Sequence, residues 1–338
     1  MKALKRLTKR SEFYVFLIII ALSLVIQARS GQFYTNNNIV DIARSMIVPL
    51  IYALCAFLAF ISTGPDVSFP LVAALSSYLA ITLTYKIGYE GPFILVYIFG
   101  MIFGGIMGCL NGLIIVKYKF PSLIVTLGTS CIFSGLLLGA FEATRLDLPG
   151  PLHRFGSGIL LSVKNATTGL GAALPLTFLI VIVLYIIVYL VLNFTMVGRG
   201  VYAIGGDEVS AERAGFNVKG IRFGIFVANG MLAAIGGLTY SVNSMRYLPT
   251  EYAGAEMNII AAIILGGTRM NGGVGTLTGC VLGTLLLTMV TNSLILLGVN
   301  VYWQKAFIGA IIIIGTAVTV MQSHGGLKKA SKKAKKEA

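Results

Sequence analysis

Apolar residues fall into long blocks separated by short polar or glycine-rich connections, at about 14–28, 45–62, 68–84, 92–116, 122–140, 173–193, 222–242, 257–266, 274–297 and 303–321. A helix rises about 1.5 Å per residue, so some twenty apolar residues cross the ~30 Å hydrocarbon layer of a bilayer. The blocks predict an all-α, polytopic membrane protein of about ten transmembrane helices. The eighth is short in its apolar part. It reaches spanning length when extended back through Tyr252, Ala253, Gly254 and Ala255, or when read as a broken helix. The chain then divides into a basic N-terminus at 1–13, a transmembrane domain at 14–321 and a basic tail at 322–338.

Composition supports this reading. Of 338 residues, 57% are hydrophobic and 11% charged, whereas a soluble domain carries about 25% charged residues. The net charge of +14 would suggest nucleic acid in a soluble chain, but its placement argues for a membrane surface. Eleven basic residues lie in the two tails, from Lys2 to Arg10 and from Lys328 to Lys336. With both termini in the cytoplasm, seven more fall in inner connections and seven in outer ones, Lys305 being a boundary case. This is the bias of the positive-inside rule. Cys55, Cys109, Cys131 and Cys280 sit in apolar stretches without metal-ligand spacing and read as small hydrophobes.

Two glycine ladders recur at intervals of four: Gly100, Gly104, Gly108 and Gly112, then Gly275, Gly279 and Gly283. Residues four apart share a helix face, so each ladder is a helix-packing groove where another backbone can approach closely. Adding 181 to spans two to five lands near spans seven to ten, and Asn111 falls on Asn292. Five crossings separate the copies, which predicts an inverted repeat.

The spans hold almost no ionisable side chains and no nucleophile elbow, and no GxxxxGK[ST] loop occurs. Residues for a catalytic role, a metal or a directly bound cofactor are therefore not expected, and uphill movement of a solute would draw energy from another subunit. The longest inner connection, 194–221, offers a docking surface. Asp207, Glu208, Glu212, Arg213 and Ala214 fit a short amphipathic helix, with Gly205 and Gly206 before it, Gly215 after it and Asp207 as its cap; the plainer reading is a solvated loop. Asp66, in the turn Ser62–Ser68, reads as a helix cap at the membrane surface. Arg269, in the glycine-rich turn 265–275, suits contact with a partner subunit, solute or lipid headgroup. The outer connection, about 141–172, has the length and mixed charge to receive an extracytoplasmic protein. Asn111, Thr126, Thr129, Ser130, Asn229 and Asn292 are the pathway candidates, with helix-packing hydrogen bonds as their default role.

These motifs resemble the ribose and simple-sugar permease family of bacterial ABC importers. The resemblance rests on Gly64-Pro-Asp-Val-Ser68, Asn111-Gly-Leu-Ile, Pro121-Ser-Leu-Ile-Val-Thr-Leu-Gly-Thr129, the run from Val201 to Val218, and Ile264-Leu-Gly-Gly-Thr268 through Gly275. It covers about 35 to 321. It implies a multi-pass permease of type II importer architecture in the bacterial inner membrane, paired with a second, identical or homologous, permease subunit. It further implies ATPase subunits that use ATP and Mg2+ and seat against 194–221, and an extracytoplasmic binding protein. The solute would be a monosaccharide or related polyol, with nucleosides or another small hydrophilic metabolite as the alternative. Ser68-Phe69-Pro70 departs from the family's usual Ser-Val-Gly.

Overall fold

The computed structural model describes residues 11–62, 64–164, 171–296 and the single positions 300, 303, 306, 309, 310 and 313. The two charged tails lie outside the described residues, as does most of the tenth apolar block. The helices are α1 (Ser11–Ser30), α2 (Asn36–Ser62), α3 (Phe69–Lys86), α4 (Phe93–Tyr118), α5 (Ser122–Gly135), α6 (Gly150–Gly156), α7 (Phe178–Phe194), α8 (Met196–Gly206), α9 (Glu208–Arg213), α10 (Val218–Ser244), α11 (Ala255–Leu265) and α12 (Leu277–Leu296). Helix α5 continues through a π-turn to Ala140. Six of the described helices, α1, α2, α4, α5, α10 and α12, are long and apolar enough to cross a membrane. The pair α7 and α8, bent by 76°, makes a seventh if counted as one span. The protein is thus a polytopic, predominantly helical membrane protein.

The bundle is organised around α2, in which every residue from Leu50 to Ser62 is buried. A helix apolar on all sides belongs inside a bundle. It is packed by α10, α11, α12, α7 and α8. Around α4 the two faces differ sharply. Ile94, Ile98, Ile102, Ile106 and Leu110 are exposed at intervals of four, an apolar stripe suited to lipid. The glycine ladder occupies the inward face, against α10. A Cβ on Gly104 would lie 2.2 Å from the Gly230 carbonyl oxygen, and one on Gly108 2.3 Å from that of Phe226. The second ladder meets a different neighbour: Gly279 and Gly283 abut the carbonyls of Gly266 and Ala262, at the end of α11. The two ladders therefore close different helix pairs.

The connection 141–177 is not a plain loop. Strand β1 (Leu146–Asp147) pairs antiparallel with β4 (Arg246–Tyr247), and β2 (Ile159–Lys164) with β3 (Gly171–Pro175). Between them, α6 stacks Phe155 on Phe93 with ring centroids 3.8 Å apart. The Tyr85 hydroxyl donates to the Asp147 carbonyl (3.0 Å), and the buried Tyr247 to that of Ala74 (3.1 Å). These contacts fasten this cap across the ends of α3, α4 and α10.

Candidate functional site at a buried polar hinge

Helix α2 ends where Gly64 takes a left-handed φ of +109°, a conformation that favours glycine. Pro65 then forbids continuation. Asp66, the next residue, is only 2% exposed. The sequence reads it as a helix cap in the turn between two spans; the structure encloses its carboxylate within the bundle. One Asp66 carboxylate oxygen accepts from the Ser68 amide (2.9 Å) and hydroxyl (2.7 Å), and the other accepts from the Asn229 amide group (3.4 Å). The Ser68 hydroxyl also accepts from Asn111 Nδ2 (2.9 Å), and the Val67 amide donates to Thr126 Oγ1 (3.3 Å). Pro70 falls in the first turn of α3, where its missing N–H costs nothing.

Helices α4, α5 and α10 thus each send one polar side chain to the break between α2 and α3. A buried carboxylate must be hydrogen-bonded to be tolerated, and these groups do that. Oδ1 of Asn111 and of Asn229 are buried without a hydrogen-bond partner among the described residues. Of the six pathway candidates, Asn111, Thr126 and Asn229 meet here. Thr129 is buried one turn along α5 and donates to the Thr126 carbonyl (3.3 Å). Ser130, half-buried, takes no part in these bonds. Asn292 lies elsewhere, donating to Ser45 Oγ (3.0 Å). Ser45 is 17 residues before Ser62 on α2, about 25 Å along the axis.

The segment 194–221 is folded throughout. Thr195 caps α8 by accepting from the Gly198 amide (3.1 Å), and Asn217 caps α10 by accepting from that of Gly220 (2.9 Å). Asp207 caps α9, accepting from the amides of Val209 and Ser210 (both 3.3 Å) and from the Ser210 hydroxyl. The hydroxyl bond is the main influence holding the Asp207 carboxyl below its ordinary range, with the two amides adding to it. The sequence correctly indicates this cap and the short helix. It does not indicate α8, nor the ion pair of Glu208 with Arg222 (2.8 Å). Ala211 packs with Ile204 and Val218, tying α9 to its neighbours, while Glu212, Arg213 and Ala214 close the helix before Gly215, which has φ +88°.

This unit abuts the foot of α2. The Gly273 amide donates to the Ile61 carbonyl (3.0 Å), and Tyr202 to that of Gly275 (3.1 Å). A Cβ on Gly205 would sit 2.0 Å from the Ile61 oxygen and 2.4 Å from the Gly273 nitrogen. Backbone therefore touches backbone from α8, through the turn 266–275, to a residue five positions before Asp66. Among the described residues no group of three His, Cys, Asp or Glu is placed to hold a metal.

Comparison with known proteins gives this arrangement a context. The family described as the branched-chain amino acid transport system / permease component matches residues 38–316. Curated relatives include the ribose import permease protein RbsC of Haemophilus influenzae, 27% identical over 88% of this chain and 90% of its own length. The autoinducer 2 import system permease protein LsrC of Enterobacter sp. is 30% identical over 93% and 88%. The D-allose transport system permease protein AlsC of Escherichia coli is 28% identical over 92% and 91%. The match extends over nearly the whole bundle, hinge and folded segment included. The chain belongs to this family of transport-system permease components and is a non-catalytic permease component of an ABC transporter, resembling those of simple-sugar importers.

Proposed function

We propose that this chain is the membrane permease of an ATP-driven importer that carries a monosaccharide or related polyol, released to it by an extracytoplasmic binding protein. An ABC ATPase seats on the segment from Gly205 and Gly206 through Asp207, Glu208, Glu212, Arg213 and Ala214 to Gly215. A second permease subunit completes the passage. The observation that carries this reading is the backbone junction of Gly205, Gly273 and Ile61, because it joins the docking segment to the polar hinge. A displacement of α9 by the ATPase is passed to the end of α2. There the contacts of Asp66 with Ser68 and Asn229, and of Ser68 with Asn111, are positioned to open or close a path. The relatives named for ribose, allose and autoinducer 2 fall within 27% to 30% identity, which supports a small polyhydroxylated solute as the cargo.

The ten-crossing topology, with 1–13 and 322–338 cytoplasmic around a domain at 14–321, belongs to the same proposal, as does the inner-membrane location. An inverted repeat is supported by reciprocal packing: α2 and α10 each have 27 residues, α4 packs along α10, and α12 along α2. The test is uptake by vesicles containing the chain together with its ATPase and binding protein. Gly215→Val, which forces a β-branched residue to φ +88°, is expected to leave ATP hydrolysis running while uptake falls. Unchanged uptake per ATP in an assembled variant would remove the docking assignment.

A further inference from the structure

A cavity lies at the opposite end of α2 and α10 from the docking segment. Its volume is about 370 Å³, within the range of small-molecule sites. Three tyrosines, Tyr52, Tyr240 and Tyr252, line it together with Arg44, Ser45, Asn243 and Glu251. Tyr240 is 22 residues along α10 from Val218, about 33 Å from the docking segment.

Its polar groups are arranged rather than scattered. Glu251 accepts from the Tyr240 hydroxyl (3.0 Å) and from Arg246 (2.9 Å), so its charge is already balanced and its position fixed. Thr177 donates to Asn243 Oδ1 (2.7 Å), which leaves the Asn243 amide hydrogens for another acceptor. The Tyr240 and Tyr252 rings meet edge to face at 5.2 Å, giving a rigid aromatic wall. Tyr52 is 4% exposed, and its hydroxyl is buried without a partner among the described residues. The Tyr52 side chain borders the cavity, while its hydroxyl is closed off from solvent. Asn292, isolated from the hinge, bonds Ser45 on the cavity wall.

We infer that this cavity is a transient binding site for a neutral monosaccharide, the first protein site the solute meets at the end of the passage away from the ATPase. The inference rests on the permease reading above. Aromatic faces match the C–H faces of a sugar ring, while Arg44, Asn243 and Glu251 supply donors and an acceptor for its hydroxyls. The site binds weakly, at about millimolar Kd, because a transported solute must also leave.

The test is saturation-transfer NMR on the full chain in lipid nanodiscs with neutral aldopentoses and aldohexoses, and with glucose 6-phosphate as the anionic probe. At least one neutral sugar is expected to receive saturation. Arg44→Met and Asn243→Ala, each removing one hydrogen-bonding side chain, are expected to weaken it about fivefold with the circular dichroism unchanged. No contact with any neutral sugar, preference for the phosphorylated probe, or unchanged affinity in both variants overturns the inference. If the complete transporter still takes up sugar with ATP, only this site is lost. Sugar binding here with no ATP-driven uptake removes the permease reading instead.

Discussion

Gly205 and Gly206 are adjacent residues of one helix, yet the structure predicts opposite outcomes for the same substitution. A Cβ on Gly205 meets the Ile61 carbonyl oxygen at 2.0 Å and the Gly273 nitrogen at 2.4 Å, where real Cβ contacts essentially never fall below 3.0 Å. To reach 3.0 Å, alanine there must push the foot of α2 away by 1.0 Å and the turn 266–275 by 0.6 Å. Inserting one methyl group into a filled space costs about 2 kcal/mol. Straining the Gly273–Ile61 hydrogen bond adds about 1 kcal/mol, and the better helix propensity of alanine returns about 1. The net is about 2 kcal/mol of destabilisation. Gly206 has nothing within 4 Å of its Cβ position and no left-handed φ, so Gly206→Ala is neutral or stabilising by up to about 1 kcal/mol. Thermal melts of the two purified variants, followed by uptake per ATP in vesicles, separate the cases. Gly205→Ala is expected to melt earlier and to uncouple, while Gly206→Ala does neither. Indistinguishable melts and coupling would refute the close junction.

On the α4–α10 contact, Gly104→Leu and Gly108→Leu are expected to reduce the yield of monodisperse protein at least severalfold, whereas Gly128→Leu and Gly135→Leu, which face open space, do not. Size-exclusion profiles of the four variants decide it. For Asp207 the folded-state pKa is depressed, so its cap is fully present above the ordinary carboxylate pKa of ~3.9 and is lost as pH falls through the lower folded value. Protection of the Val209 and Ser210 amides, measured against the intrinsic exchange rate at each pH, should therefore stay constant from about pH 7 to 5 and fall only below about pH 4. Asp207→Asn, which keeps the acceptor, should remove that acid-dependent step.

Much of this architecture was legible because bilayer physics writes it in long apolar runs. The blocks at 92–116, 122–140 and 222–242 coincide with α4, α5 and α10 to within a few residues. The Asp207 cap was legible too, since its partners are two and three residues away. Asn111, Thr126 and Asn229 stood out as polar residues in apolar helices. The burial of Asp66 was not legible: Gly-Pro-Asp between two apolar blocks looks like a surface turn. Beyond Ser68, two residues on, the groups that enclose it are remote in sequence: Asn229 is 163 residues from Asp66, and Asn111 is 43 residues from the Ser68 it bonds. Helix α8 was hidden for a related reason. Gly198, Gly200, Gly205 and Gly206 lower its intrinsic propensity, and what holds it is packing; the Gly200 position faces Ile221 and Phe216. The tyrosine-lined cavity gave no signal, because α2, α10 and the turn after α10 contribute its walls separately. The Glu208–Arg222 pair crosses from α9 to α10 and has no helical spacing.

The central claim is that this bundle opens and closes a passage while a separate nucleotide-hydrolysing subunit does the work. The direct measurement is radiolabelled sugar accumulation in sealed vesicles holding the chain alone, and holding it with its ATPase and binding protein, each with and without ATP. Accumulation above the external concentration is predicted only when ATPase, binding protein and ATP are all present. Concentrative uptake by the chain alone, or equal uptake with and without ATP in the full assembly, would contradict it.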